Sequence, residues 1–327
     1  MAFRIAKEAK IGGKFLIYGE TGSGKSWFQL TFPKVACIDS EVGIAHYEGK
    51  DITLNNGNTY NNLVMVDNTS DLDDLEEDLD AFLDGEFDGK IETLSIDSET
   101  KFYGTMQTSA QEVEERRARK KGGDVDDTNI SQRSWGRIKV LNLRLQQAKI
   151  DLSAKGVHII SVAQATDERD KKGEAIIGIK PDMHKSVKFD YDTILEFFTK
   201  EEKDGIHYYA KVLKDRTNVF KRGDIIENPC YDLWKDYFNA RNGLSTNETS
   251  YKKDIQTSTD SMMEDADKTE ELVAEFKALM GSIGKDATKA KAVALEAKKL
   301  GIDLKALEIE QSSKLAKLVA FVKGIIE

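Results

Sequence analysis

The chain has 327 residues, 39% of them hydrophobic and 32% charged, and a formal net charge of -10. That composition supports a soluble protein with one large domain plus a small one, or two medium ones, and argues against a surface that binds nucleic acid all over, though not against a local basic site. Cys37 and Cys230 lack a CxxC partner, the 4 histidines show no metal spacing, and there is no apolar leader and no apolar run of about 18 residues, which leaves out a disulfide scaffold and a membrane span and fits a reducing cytoplasm.

From residue 12 to about 230, short apolar runs alternate with longer amphipathic stretches. The runs 14–18, 35–39, 63–66, 93–97 and 157–163 are rich in Val, Ile, Leu and aromatics, as parallel strands buried on both faces should be. Between them, 71–82 carries Leu72, Leu75, Leu79 and Phe82 on one helical face, with acids where a helix N-terminus favours them. A longer helix is expected over 133–154, with Trp135, Ile138, Leu141, Leu145, Ala148 and Leu152 at helical spacing. Strand–helix–strand repetition predicts right-handed crossovers and an α/β fold, a mostly parallel sheet with helices on both faces. Within 193–213, the runs Thr193–Phe198 and Ile206–Leu213 flank Lys203-Asp-Gly205 and read as an antiparallel hairpin at one sheet edge. The expected divisions are a core over 1–240, a polar linker over 241–266 and a small C-terminal helical module over 267–327, the last carrying Leu272, Phe276, Leu315, Leu318 and Val322.

The strongest chemical signal follows the first strand. Gly19, Glu20, Thr21, Gly22, Ser23, Gly24, Lys25 and Ser26 match G-x-x-x-x-G-K-[ST] between a strand and a helix start. Glycines let the loop curl so that backbone N–H groups face a polyphosphate; Lys25 is expected at the β- and γ-phosphates of ATP and the Ser26 hydroxyl on Mg²⁺. A second metal-side carboxylate is expected at Asp97, at the C-terminal end of an apolar strand, where open α/β sheets bind ligands. For the group that polarises the attacking water, two candidates stand: Glu99, and Glu41 just past the 35–39 strand, which is expected beside the P-loop strand. Gln164 ends the 157–163 strand with an amide that can both donate and accept.

After Asp97 comes a long insertion in which Arg116, Arg117, Arg119, Lys120 and Lys121 cluster. They suit either a grip on phosphates or a solvated helix end. Residues 167–188 read as a mobile loop with Lys171, Lys172, Lys180 and Lys185 as weaker phosphate contacts. Lys214 and Arg216 close the hairpin, where an ion pair with Glu196 or Asp215 is one reading.

Taken over about residues 10–230, these motifs resemble the RecA/KaiC-type P-loop NTPases, in particular phage-encoded minimal RecA-like ATPases of the annealing or recombination type. Gly19–Ser26, Ile38–Glu41, Ile96–Ser98, Trp135–Gly136, Ser161–Gln164 and Lys214–Thr217 carry the likeness. The resemblance implies ATP and Mg²⁺ as cofactors, with Glu41 activating the water, Asp39 supporting it and Gln164 contacting the γ-phosphate. It also implies Lys214 and Arg216 acting on a neighbour's nucleotide, hence a ring or filament of identical subunits, with single-stranded DNA and a single-stranded-DNA-binding protein as partners in the host cytoplasm. Phe3-Arg-Ile-Ala6 matches the F-x-x-A peptide by which some recombinases dock on a neighbour. Two other functions stay open: a regulatory or packaging-type P-loop ATPase that never touches DNA, and a small-molecule P-loop kinase.

Overall fold

The computed structural model describes residues 5–125, 128–246, 249–284, 286–309 and 311–326. The Phe3-to-Ala6 peptide therefore begins outside the described residues. Two compact units divide the chain, 1–249 and 250–327.

In chain order the first unit contains β1 (Lys14–Gly19), α1 (Lys25–Leu30), β2 (Val35–Asp39), β3 (Ile52–Thr53), β4 (Thr59–Tyr60), β5 (Leu63–Asp67), α2 (Leu72–Asp84), β6 (Thr93–Asp97), α3 (Glu99–Lys120), α4 (Gln132–Ala154), β7 (His158–Arg169), β8 (Ile176–Pro181), β9 (Thr193–Glu202), β10 (Gly205–Asp215), β11 (Ile225–Glu227) and α5 (Asp232–Asn239). The main sheet runs β11-β10-β9-β1-β7-β6-β2-β5, with β8 paired to β7. Strands β9, β1, β7, β6, β2 and β5 are parallel, so their C-terminal ends share one edge. Strands β9 and β10 form the expected antiparallel hairpin, and β11 adds one more antiparallel strand beyond it.

Alternation along β1 explains why both faces are covered. Phe15 and Ile17 enter one core with Phe28 of α1 and Trp234 and Phe238 of α5. Leu16 and Tyr18 point the other way, toward Ala163, Val187 and Tyr191. Phe15 meets Phe32 and Trp234 edge-on, with ring centroids 5.0 and 5.4 Å apart, the arrangement aromatic quadrupoles prefer. Helices α2, α3 and α4 bury Leu75, Leu79, Phe102 and Ile138 with Leu94 and Ile96 of β6. Trp135, expected on the buried face of α4, is instead 43% exposed.

The insertion after Asp97 is the 22-residue helix α3, N-capped by Ser98, and its basic cluster lies at the helix end, one of the two readings left open by the sequence. Two expectations are corrected. The stretch 167–188 is not a loop throughout: β7 continues to Arg169 and pairs antiparallel with β8. The polar stretch 241–266 is helical from Tyr251, because α6 (Tyr251–Ile283) runs through it, capped by the Ser250 hydroxyl. With α7 (Ala287–Leu300) and α8 (Ser312–Ile326), α6 completes the second unit around Val273, Phe276, Val293, Leu315, Leu318 and Val322. No helix among the described residues is long and apolar enough to cross a membrane.

Candidate active site

Strand β1 delivers the chain to Gly19, and the turn that follows leads into α1. A Cβ at Gly19 would lie 2.2 Å from the Phe197 carbonyl oxygen, so the close approach of β9 requires glycine there. Gly24 caps α1 at φ 92°, a left-handed conformation that only glycine adopts freely. The Ser23 hydroxyl donates to the Glu20 carbonyl at 2.7 Å. Lys25 Nζ donates to the carbonyls of Gly19 and Glu20 at 2.9 and 2.6 Å. Burial pulls the Lys25 amine below its ordinary pKa, while Asp97, Glu41 and Glu20 oppose that shift.

Strand register sets the acidic side. Asp39 of β2 pairs with Asp97 of β6 at the strand ends. Asp97 accepts from Gln29 Nε2 at 2.6 Å, and Gln29 in turn accepts from the Ser95 hydroxyl. Burial, chiefly, lifts the Asp97 carboxyl from 3.8 to about 6; the Gln29 hydrogen bond and the Lys25 charge lower it, and Asp39 and Glu41 raise it further. Asp39 is buried and accepts from the N–H groups of Glu41 and Ile44 at 3.0 and 2.7 Å, which shapes the turn that presents Glu41. Val42 follows with φ 57°, a conformation β-branched residues avoid and that is held by surrounding structure.

Glu41 Oε1 accepts from the Ser98 hydroxyl at 2.8 Å and from Gln164 Nε2 at 2.7 Å. The Gln164 N–H donates to Thr100 Oγ1 at 3.0 Å. Sequence reasoning expects β2 beside β1; instead β7 and β6 lie between them. Glu41 still reaches the cleft because its strand end turns back over β6 and meets Gln164 on β7. Glu99, the other carboxylate weighed for water activation, faces away: it is buried and ion-paired with Lys149.

The result is a cleft of about 390 Å³ lined by Gly19, Glu20, Thr21, Gly22, Lys25, Ser26, Asp39, Glu41, Asp97, Ser98 and Gln164. The hydroxyls of Thr21, Ser26 and Ser98 and several carboxylates supply hard oxygen donors, the set that suits Mg²⁺, and Ser26 and Asp97 are the residues that would hold it.

Other expected residues lie elsewhere. Lys214 pairs in register with Ile194, at the opposite end of the sheet from the P-loop. Its Nζ donates to the carbonyls of Phe189 and Tyr191. Arg216 pairs with Asp192 at 3.3 Å, not with Glu196 or Asp215. Neither basic group reaches the cleft of its own chain. Arg116, Arg117, Arg119, Lys120 and Lys121 form the last turn of α3 and its cap, a helix about 33 Å long at 1.5 Å per residue. Arg116, Arg117 and Arg119 pair with Glu112, Glu114 and Glu115 at 3.1, 2.9 and 3.8 Å. His207, which shows no metal spacing in the sequence, gathers with Glu202 and Asp204. Both its ring nitrogens lie on carboxylates, Nε2 on Asp204 at 3.0 Å and Nδ1 on Glu227 at 2.8 Å, and these contacts raise its pKa. An imidazole clamped between acids accounts for that cluster.

Gln29, Ser98 and Thr100 escape sequence reasoning. Gln29 carries a faint signal: a polar residue between Phe28 and Leu30 on a short helix, fully buried here.

A glycine-rich loop between β1 and α1, an acid at the end of β6 and a mostly parallel sheet covered by helices define a P-loop NTPase. A family model described as an AAA domain matches residues 11–222, and the chain belongs to that family of P-loop ATPases. Comparison with curated proteins finds no match.

Proposed function

We propose that this ATPase is a magnesium-dependent hydrolase of the RecA/KaiC kind that acts on single-stranded DNA in phage recombination, by annealing or strand pairing. The observation that carries the hydrolase reading is the clasp on Glu41 by Ser98 and Gln164, across the cleft from Lys25. In this reading Glu41 takes a proton from water as the water oxygen bonds to the γ-phosphorus. The bond to the bridging oxygen breaks and its electron pair leaves on ADP. Lys25 and the loop N–H groups hold the phosphates, and Gln164, shared between Glu41 and the γ-phosphate side, senses which nucleotide is bound. Bound magnesium supplies neutralisation of phosphate charge.

Arg216 is 60% exposed, which suits a role for Lys214 and Arg216 toward a neighbouring subunit's nucleotide in a homo-oligomer. The basic end of α3 supplies the DNA contact. The second unit recruits a partner such as a single-stranded-DNA-binding protein.

One observation favours a second reading, a regulatory or packaging-type ATPase without direct DNA contact. Three of the five basic side chains at the end of α3 are already paired with glutamates of the same helix. ATP turnover measured with and without single-stranded DNA over a salt series separates the two, with Lys25→Ala as the inactive control. DNA-stimulated, salt-sensitive turnover supports the first reading; turnover indifferent to DNA supports the second.

A further inference from the structure

We propose that Lys149 is a positioning residue for this site: through its buried ion pair with Glu99 it fixes Ser98 and Gln164, the two side chains that hold Glu41. This rests on the hydrolase reading above. Lys149 projects from α4 and Glu99 opens α3; their side chains are 2% and 3% exposed. Lys149 Nζ also donates to Ser161 Oγ at 3.1 Å and lies 3.2 Å from the Tyr191 hydroxyl. Both hydroxyls donate to Glu99 Oε1, at 2.7 and 3.2 Å. One charged node thus joins α4, α3, β7 and the residue leading into β9.

A charge pair taken out of water is a poor way to add stability, since an apolar pair of similar volume does as well. Its position explains it better. Glu99 directly follows Ser98, the cap of α3, whose hydroxyl donates to Glu41. Ser161 lies three residues before Gln164 on the same strand. The two backbones that carry the clasp are therefore pinned to each other beneath the cleft. Neither Lys149 nor Glu99 lines the cleft itself, so both act through their neighbours.

The test uses the full chain and two variants. Lys149→Met leaves a buried carboxyl without its cation and risks unfolding. Lys149→Met/Glu99→Gln removes both charges at similar volume and leaves an acceptor for the two hydroxyls. In the double variant, kcat for ATP is expected to fall on the order of 100-fold, the effect of a small misplacement of a reacting group. Affinity for a non-hydrolysable ATP analogue with magnesium is expected to stay within about threefold. The amides of Ser98 and Gln164, which donate to Ser40 and Thr100, are expected to exchange with solvent on the order of tenfold faster. Wild-type kcat in the double variant overturns the proposal, even if its melting temperature drops. If the wild-type protein itself turns over no ATP, the hydrolase reading fails separately, and amide exchange decides alone: unchanged exchange at Ser98 and Gln164 overturns the positioning role.

Discussion

Asp97→Asn takes one negative charge out of a cleft that also holds Asp39, Glu41 and Glu20. Burial lifts the Asp97 carboxyl from 3.8 to about 6. A folded-state pKa above the unfolded one means that the folded protein holds this proton more tightly. The stability it contributes is fully present below about pH 4 and is lost as the pH rises through about 6. The gap, 6 − 3.8, is about two pK units, and at 1.36 kcal/mol per unit ionisation costs about 3 kcal/mol at pH 8. Asparagine carries no such cost and keeps an oxygen for Gln29. Without nucleotide or metal, Asp97→Asn is therefore expected to be about 3 kcal/mol more stable than wild type at pH 8, about 6–12 °C in melting temperature for a unit of this size. At pH 4 the two proteins should melt nearly together. ATP turnover should fall in the same variant, because Asp97 is the proposed metal-side carboxylate. Thermal unfolding in a chelating buffer at the two pH values checks the first part and a phosphate-release assay the second. Equal melting temperatures at pH 8, or a gain of the same size at both pH values, would falsify the assignment of Asp97 as a carboxylate held ionised at a cost.

Glu41→Gln should retain ATP and lose turnover by about 10² to 10⁴, the usual worth of a general base; single-turnover kinetics with a binding measurement read both. Replacing Arg116, Arg117, Arg119, Lys120 and Lys121 by glutamine should weaken single-strand binding. The slope of log affinity against log salt should flatten by about 1.4 if only the two lysines touch phosphates and by about 3.5 if all five residues do; an unchanged slope assigns DNA contact elsewhere or removes it. Leu315→Ala, at a fully buried position of the second unit, should cost that unit about 2–5 kcal/mol and leave ATP turnover untouched, as followed by denaturant unfolding beside the activity assay.

The P-loop was legible because its conformation is written in adjacent residues: glycines where the chain must curl, then Lys25 and Ser26 at the helix start. Five of the six parallel strands and the hairpin are largely legible for a similar reason, since burial on both faces demands unbroken apolar runs; that β9 of the hairpin also pairs parallel with β1 is not. Strand order was not. Nothing local in Val35–Asp39 says that β6 and β7 will slot between it and β1; that is decided by pairings between strands far apart in sequence, such as Lys14 with Ile159. The C-terminal end of α3 is legible in its basic residues before Gly122, but its full length is not, because Thr, Ser, Gln and Gly blur its apolar face, leaving Phe102 and Met106 as its buried anchors. The first half of α6 was missed because it is a solvated helix, so no apolar stripe distinguishes it from a polar linker. The motif that points to Lys214 and Arg216 says nothing about which end of the sheet they occupy. Lys149 and Glu99 were unreadable as a pair, because only the packed core brings α4 against the start of α3.

Register is what turns these scattered residues into one site. Gly19 lies opposite Gln164 across the β1–β7 pair, and Asp39 lies opposite Asp97 across β2–β6. Asp97 is also in register with Val162, two residues before Gln164. The P-loop, the metal-side acid, the turn bearing Glu41 and the amide of Gln164 therefore stand at nearly one level along the parallel edge. A slip of one residue in any of these ladders would rotate a side chain to the other sheet face. Apolar residues on both faces hold the ladders against that slip: Phe15 and Ile17 look into one core while Leu16 and Tyr18 look into the other. The same burial that fixes register also strips water from Asp97 and Lys25, and so raises the acid and lowers the base. The sheet that positions these cleft groups is thus also the source of their electrostatic cost, and the stability of Asp97→Asn measures how much of that cost the fold carries.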